Sequence, residues 1–316
     1  MNANAIRGSK RRMSWKAWCK QAKEQKSLLV LSVLFFAYGF IFCYLPLVGW
    51  LIGFQDYRPR DGILGSKFVG LQVFQTLFED PEFWLTVRNT LAMSLLNLVF
   101  STIFAILFAV LLNEVRCMIG KKFVQTVSYL PHFLSWIVAC NILFDTLGST
   151  GIVNELLMKM HVITAPLNFF SYPQGFWWIV AIAVVWKETG WNAIIYLAAI
   201  TSIDPNLYEA AAIDGGGRWV KMRYITLPGI ANTIIILLIL NVGNVLNSGF
   251  EVQYLMGNDV IRDFSQTIDI YVLKWGISQS NYAIGTAAGI FRSAVSIVLI
   301  LITNAIAKRT SDTRLF

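Results

Sequence analysis

The stretch "SIDPNLYEAAAIDGGGRWVKMRYITLPG", residues 202–229, is a polar interruption in an apolar chain. It gathers Glu209, Asp214, Arg218, Lys221 and Arg223 around three consecutive glycines, with long hydrophobic runs on both sides. Its local chemistry predicts a helix-turn-helix. Asp204 can cap a helix whose first residue is Pro205, where a missing N–H costs nothing. The residues after Pro205 are good helix formers, and Gly215 suits a left-handed cap at the helix end. A second short helix is expected over 218–226, and Pro228 restarts the chain into the next apolar run. Ala210, Ala211 and Ala212 leave a smooth surface that another protein can approach closely. The device is too small to fold alone, so a docking surface is the physical expectation.

Working outward, the 316 residues are 56% hydrophobic and 14% charged, with a mean hydropathy of +0.58. An average soluble domain carries roughly 25% charged residues. The apolar runs are long enough to cross a bilayer, which takes about 20 residues. Six spans are expected, at residues 28–52, 87–112, 123–147, 176–200, 229–250 and 283–307. They are read as helices because lipid cannot satisfy free backbone groups and no strand-like alternation is present. The first run is too long for a cleaved signal peptide.

The net charge of +8 is distributed by side. With the N-terminus inside, the inner pieces hold seventeen Lys and Arg and the outer pieces six. That imbalance predicts cytoplasmic termini and a cytoplasmic 201–228 loop. The predicted organisation is a basic tail at 1–27 near anionic lipid headgroups, a transmembrane domain at 28–307 and a short tail at 308–316. A nucleic-acid role does not fit. Cys19 and Cys117 fall on the reducing side and Cys43 and Cys140 inside spans, so neither a disulfide framework nor metal spacing is present. Of the three outer segments, 53–86 reads as turns followed by an interfacial helix, and 148–175 as a short helix near 152–160. In 251–282, strand and helix are not separable by pattern. Nothing suggests an internal repeat or a second domain.

The loop also carries a spaced signature. Glu209, Ala210 and Ala211 are followed after three residues by Gly215, and after nine more by Ile225, with Leu227 and Pro228 closing the pattern. This resembles the EAA signature of permease subunits of binding-protein-dependent (type I) ABC importers. "DPEFWLTVRNTL", "VQTVSYLPHFLSW" and "LLILNVGNVLNSGFE" further resemble the LplB-type branch of carbohydrate permeases, associated with oligosaccharide uptake, mostly in Gram-positive bacteria. The resemblance implies an all-α, six-helix, MetI-like permease fold in the cell membrane. It also implies that the loop is a coupling helix docked on an ATPase through Tyr208, Glu209, Ala210, Ala211, Asp214 and Gly215. The implied partners are a second homologous permease, two ATPase subunits and an extracytoplasmic solute-binding lipoprotein. ATP and Mg would be bound by the ATPases. No phosphate-binding GxxxxGK[ST] motif occurs here, and the chain is expected to need no cofactor of its own. Gly217 departs from the pattern, where a polar or small residue is expected, and should loosen the turn slightly.

Polar groups within spans are costly and point to function. Lys187 and Glu188 sit near the middle of the fourth span. Adjacent helical residues point about 100° apart, so these two are not expected to pair with each other. Lys187 shares a face with Trp191, and Glu188 with Asn192. Asn141 and Asp145 lie four apart in the third span, Asn241, Asn244 and Ser248 form a stripe in the fifth, and Arg292 lies in the sixth. Such residues can hydrogen-bond a sugar, with Trp136, Trp186, Trp191 and Tyr196 offering flat faces. They can equally brace helices or mark the membrane interface. The mid-membrane charges are expected to face a hydrated cavity or a partner such as Asp145 or Arg292. His132 follows Pro131 and reads as a kink with a satisfied side chain. His132 and His161, the only histidines, have no companion residues for catalysis. An ion-coupled secondary transporter would call for an inverted repeat, which is not visible. A non-sugar solute remains the alternative cargo.

Overall fold

The computed structural model describes residues 24–243, 245–247 and 250–310. Residues 1–23 of the predicted basic tail, Cys19 among them, residues 311–316 of the other tail, and Asn244 and Ser248 lie outside the described residues. The chain divides into two units at Leu51 and Ile52. The first is described from the helix Lys26–Gly39, which passes through a π-helical turn, Phe40–Tyr44, into a 3-10 stretch that begins at Leu45.

Among the described residues, four helical stretches are long and apolar enough to cross a membrane: Lys26–Phe54, Pro81–Asn113, Trp136–Lys159 and Tyr282–Ile306. A fifth is the pair Arg218–Gly229 and Ala231–Gly243, if its 54° bend is counted within one span. The helix Phe176–Thr201 is about 39 Å long at 1.5 Å per residue, more than a hydrocarbon core of about 30 Å. Lys187, Glu188 and Asn192 lower its hydropathy, so it stands apart from the others.

Two of the expected spans are not continuous helices. The run 123–147 is divided into the helix Met118–Tyr129, a 3-10 turn at Leu130–Phe133 and the helix Trp136–Leu147. Pro131 has no N–H to donate and clashes with a continuing helix, and the Ser135 side chain caps the next helix by accepting from the Val138 N–H. In 229–250, the helix Ala231–Gly243 gives way to a 3-10 turn at Val245–Asn247 and a separate helix, Phe250–Met256. The outer segments are clearer than their patterns. A two-strand hairpin pairs Gln55–Asp56 with Lys67–Phe68 ahead of the helix Gln72–Glu79. The helix Ile152–Lys159 lies where one is expected. Segment 251–282 is helical throughout its regular elements.

Within the second unit, Pro81–Asn113 and Phe176–Thr201 make the most extensive helix pairing. Fully buried Ala105, Ala109 and Ala193 allow their backbones to come close. The 259–278 region is fastened to the first turns of Pro81–Asn113. Arg88 and Asn89 donate to the Asp263 carbonyl at 2.7 and 3.0 Å. Thr90 accepts from the Ile268 N–H, and Glu82 holds both Arg262 and Lys274. The Tyr271 hydroxyl donates to Asp80 at 2.6 Å. Burial, reinforced by the Asp80 carboxylate, pushes that phenol well above its ordinary range, so it remains a neutral donor.

At Gly190 the helix Phe176–Thr201 touches the Met118–Tyr129 helix so closely that an added Cβ would lie 2.1 Å from the Ser128 carbonyl oxygen. Alanine normally improves a helix over glycine by about 0.5–1 kcal/mol. Overpacking against a rigid backbone costs about 1–3 kcal/mol and should win here. Gly190→Ala is therefore expected to lower the melting temperature of the purified protein. An unchanged or raised value would show that the two helices separate freely.

Candidate functional site

The polar loop begins as its sequence dictates. Asp204 accepts from the Asn206 N–H at 2.9 Å, and Pro205 opens the helix Pro205–Ile213. That helix ends in a Schellman motif: Gly215 donates to the Ala212 carbonyl and Gly216 to the Ala211 carbonyl. Gly215 has φ +77°, and a Cβ at Gly216 would lie 2.6 Å from the Ala211 oxygen, so these two positions require glycine. Gly217 does not. Its φ of −71° suits any residue, and it caps the short helix Arg218–Lys221. The expected continuation to 226 is instead a π turn, Met222–Thr226.

The loop is tied back to the membrane helices. The Tyr208 hydroxyl bonds the buried Thr226 hydroxyl at 3.0 Å. Met222 and Ile230 pack in one core with Ala105, Ala109, Ala193 and Ile200. Glu209, Ala210, Asp214 and Gly215 are exposed, and Ala211 is partly buried. Beside them Ile213 and Trp219 are 87% and 79% exposed. Large apolar side chains presented next to polar ones form a surface suited to another protein.

The second candidate centre lies halfway along Phe176–Thr201. The Pro131 break puts His132 in the 3-10 turn rather than in an α-helix, and the Lys187 ammonium donates to its carbonyl at 2.7 Å. The same ammonium meets Glu188 at 3.2 Å and lies 5.1 Å from the centre of the Trp136 ring. The pair expected not to meet does so, because both side chains are long enough to converge from neighbouring helical positions. Glu188 also bonds the His132 ring at 2.6 Å. His132 stacks on Trp191 at 4.4 Å with the planes 3° apart. The partner of these charges is thus His132, and neither Asp145 nor Arg292 is involved. Arg292 is paired with Asp269.

Lys187 is buried, whereas Glu188 faces a cleft of about 230 Å³ lined by Ser94, Asn97, Ser101, Thr102, Asn192 and Asn241 among others. Asn192 donates to Ser101 across the cleft at 3.1 Å. A narrower continuation shares Ser101, Thr102, Asn192 and Asn241 and adds Tyr196 and Leu237. The candidates Glu188, Asn192, Asn241 and Tyr196 are therefore brought together. Asn141 and Asp145 lie on exposed positions of Trp136–Leu147 and line neither space. Trp191 is covered on one face by His132, and Trp186 lines a separate apolar groove with Phe100, Phe104 and Trp178. The sequence reading passed over Ser94, Asn97 and Ser101. Their i, i+3, i+7 spacing places them on one face of Pro81–Asn113 and was available as a signal.

Comparison with known proteins decides the family. Residues 101–312 match the family described as binding-protein-dependent transport system inner membrane component. The chain belongs to this family. The permease is 42% identical over 290 residues to the polygalacturonan/rhamnogalacturonan transport system permease protein YteP of Bacillus subtilis, covering 92% of this chain and 90% of YteP. It is also 42% identical to Protein LplB of the same organism, covering 96% and 94% of the two chains. A solved bacterial ABC transporter involved in import of the acidic polysaccharide alginate aligns with a TM-score of 0.85 at 35% identity, over 94% of this chain and 99% of that one. The fold is therefore the helical MetI-like one, and the protein is a multi-pass membrane permease of an ABC importer.

Lys187→Met removes the ammonium and leaves the His132 carbonyl and Glu188 short of a donor. Losing one member of a fully buried pair costs about 3–5 kcal/mol. Because Glu188 keeps some solvent contact, a loss of about 1–3 kcal/mol is expected. Thermal unfolding of the purified variant measures it, and wild-type stability would show that the cluster braces nothing.

Proposed function

We propose that this chain joins a second homologous permease to form the path of an oligosaccharide, driven by cytoplasmic ATPases that engage the 201–228 loop. The observation that carries the reading is the track of hydrogen-bonding side chains, Glu188 among them, from Ser94 to Tyr196. It lies on the same helices whose core holds Met222 and Ile230. Amides, hydroxyls and a carboxylate in a narrow space suit a polyhydroxylated ligand. The sugars named for YteP and for the alginate transporter support that cargo. The alginate transporter has also been solved with an alginate pentasaccharide-bound periplasmic protein, which supports delivery by an extracytoplasmic binding protein. The positive-inside distribution supports six spans with both termini in the cytoplasm of the cell.

In this account ATP and Mg are bound by the partner subunits. This chain supplies the joint. Closure of the ATPases displaces the helix Pro205–Ile213, and the Tyr208–Thr226 bond with the Met222 and Ile230 packing carries that movement into the helices that line the track. The track then opens alternately to the two sides of the membrane.

Whole importer reconstituted in liposomes should take up oligosaccharide only with ATP and binding protein present. Glu209→Lys reverses a charge on the exposed loop surface, and Gly215→Asp forces a Cβ into a left-handed conformation. Both variants are expected to insert and assemble, with uptake reduced at least ~100-fold, the upper part of the ~5–150-fold range of coupling effects between sites. Undiminished uptake by both would remove the loop from coupling.

A further inference from the structure

Around the first turns of Pro81–Asn113, Glu82 holds Arg262 and Lys274, and Asp269 holds Arg292. Arg88 is treated differently. Among the described residues no carboxylate pairs with it, and its hydrogen bonds go to neutral acceptors. Nε and Nη2 donate to the Asn89 side-chain oxygen at 3.3 and 3.1 Å, and Nη2 donates to the Asp263 carbonyl at 2.7 Å. Fully buried Asn89 is itself fixed by donating to the Asp263 and Gln266 carbonyls. The guanidinium carbon lies 5.7 Å from the centre of the Trp177 ring and 5.0 Å from that of Phe264, and the Trp177 indole donates to the Phe264 carbonyl. Nη1 bonds nothing among the described residues, so its two N–H groups are left on an exposed side chain. Trp177 precedes Glu188 by eleven residues of one helix, which puts the two on one face, about 20° apart, with about 16 Å between them along the axis. Val184, on that face between them, lines the cleft. The oriented cation therefore stands in line with the cleft, toward the start of the helix.

We propose that Arg88 is a specificity-determining residue that receives the carboxylate of a uronic acid residue on its way to the cleft, an inference that rests on the carbohydrate reading above. A carboxylate oxygen can accept from Nη1 while Asn89 and Asp263 keep the rest of the guanidinium in place. A hydrogen bond between charged partners is roughly twice as strong as a neutral one, so a uronate gains more here than a neutral sugar. The two rings and the neutral acceptors already fix the guanidinium plane, and little side-chain freedom is left to lose on binding. Because no protein carboxylate neutralises Arg88, a uronate need displace none. Asn89 is the positioning residue that aims it.

The test uses the whole importer in liposomes, with an oligouronide and its methyl-esterified form, which keeps length and linkage but carries no charge. Each is delivered by a binding protein shown to hold it. Wild-type importer is expected to carry the acid chain at least ~10-fold faster than the ester, the ratio that a single hydrogen bond to a charged group supports. Arg88→Gln is expected to slow the acid chain and bring the two rates together, with the ester little changed. Phe264→Leu removes one flanking ring and leaves the three hydrogen bonds of Arg88 intact. It should narrow the ratio in part, and it serves if Arg88→Gln assembles poorly. Equal wild-type rates for acid and ester would overturn the proposal. So would an Arg88→Gln importer in which both chains slow alike, since a merely structural role leaves the ratio unchanged, or an unchanged ratio in Phe264→Leu. If neither chain moves while another solute does, the carbohydrate reading itself fails, and this inference falls with it.

Discussion

A lysine ammonium buried in the middle of the helix Phe176–Thr201 must find acceptors within the protein, and the arrangement around Lys187 meets that demand. Its main acceptor is a backbone carbonyl that a regular helix would have occupied. Pro131 interrupts the helix, the Ser135 cap restarts it, and the His132 carbonyl between them is left for Lys187 at 2.7 Å. The interruption is therefore a requirement of the charged site. It also brings the His132 ring to Glu188 and Trp191, so one broken turn organises three polar or aromatic groups on the facing helix.

With Lys187 engaged inward, the polarity that faces the cleft comes from neutral donors and acceptors and one carboxylate. The helices that carry those groups, Pro81–Asn113 and Phe176–Thr201, also form the core that receives Met222 and Ile230. The proposed motor surface and the proposed path are thus joined by packed side chains within one unit. Small residues at 105, 109 and 193 keep the join close, and close-packed joints transmit displacement where loose ones absorb it. The segment clamped by Glu82, Arg262, Lys274 and Tyr271 holds the opposite end of the same long helix.

Much of this was legible wherever the determinants are local. The Asp204 cap, Pro205 start and Gly215 turn could be read because each depends on a few consecutive residues, and the structure has all three. The EAA spacing led to the permease family for the same reason. What failed depended on distant partners. The 100° rule separated Lys187 from Glu188 because it describes backbone directions, whereas the reach of the side chains and the His132 carbonyl decide the contact. Asn141 and Asp145 share a helical face as their spacing requires, but the spacing does not say whether that face meets the cleft. The run 123–147 looked continuous because composition outweighed one proline. The Ser94, Asn97 and Ser101 face was present in the sequence and was obscured by the apolar residues between them.

Movement at the loop should change which side of the membrane the track faces. Thr102 lines both the cleft and its continuation, so a cysteine there reports access directly. In importer whose four native cysteines are replaced, Thr102→Cys should react with a membrane-impermeant thiol reagent from the cytoplasmic side in the resting complex. After trapping with ATP and vanadate it should react from the outer side. Labelling from one side regardless of nucleotide would contradict the account.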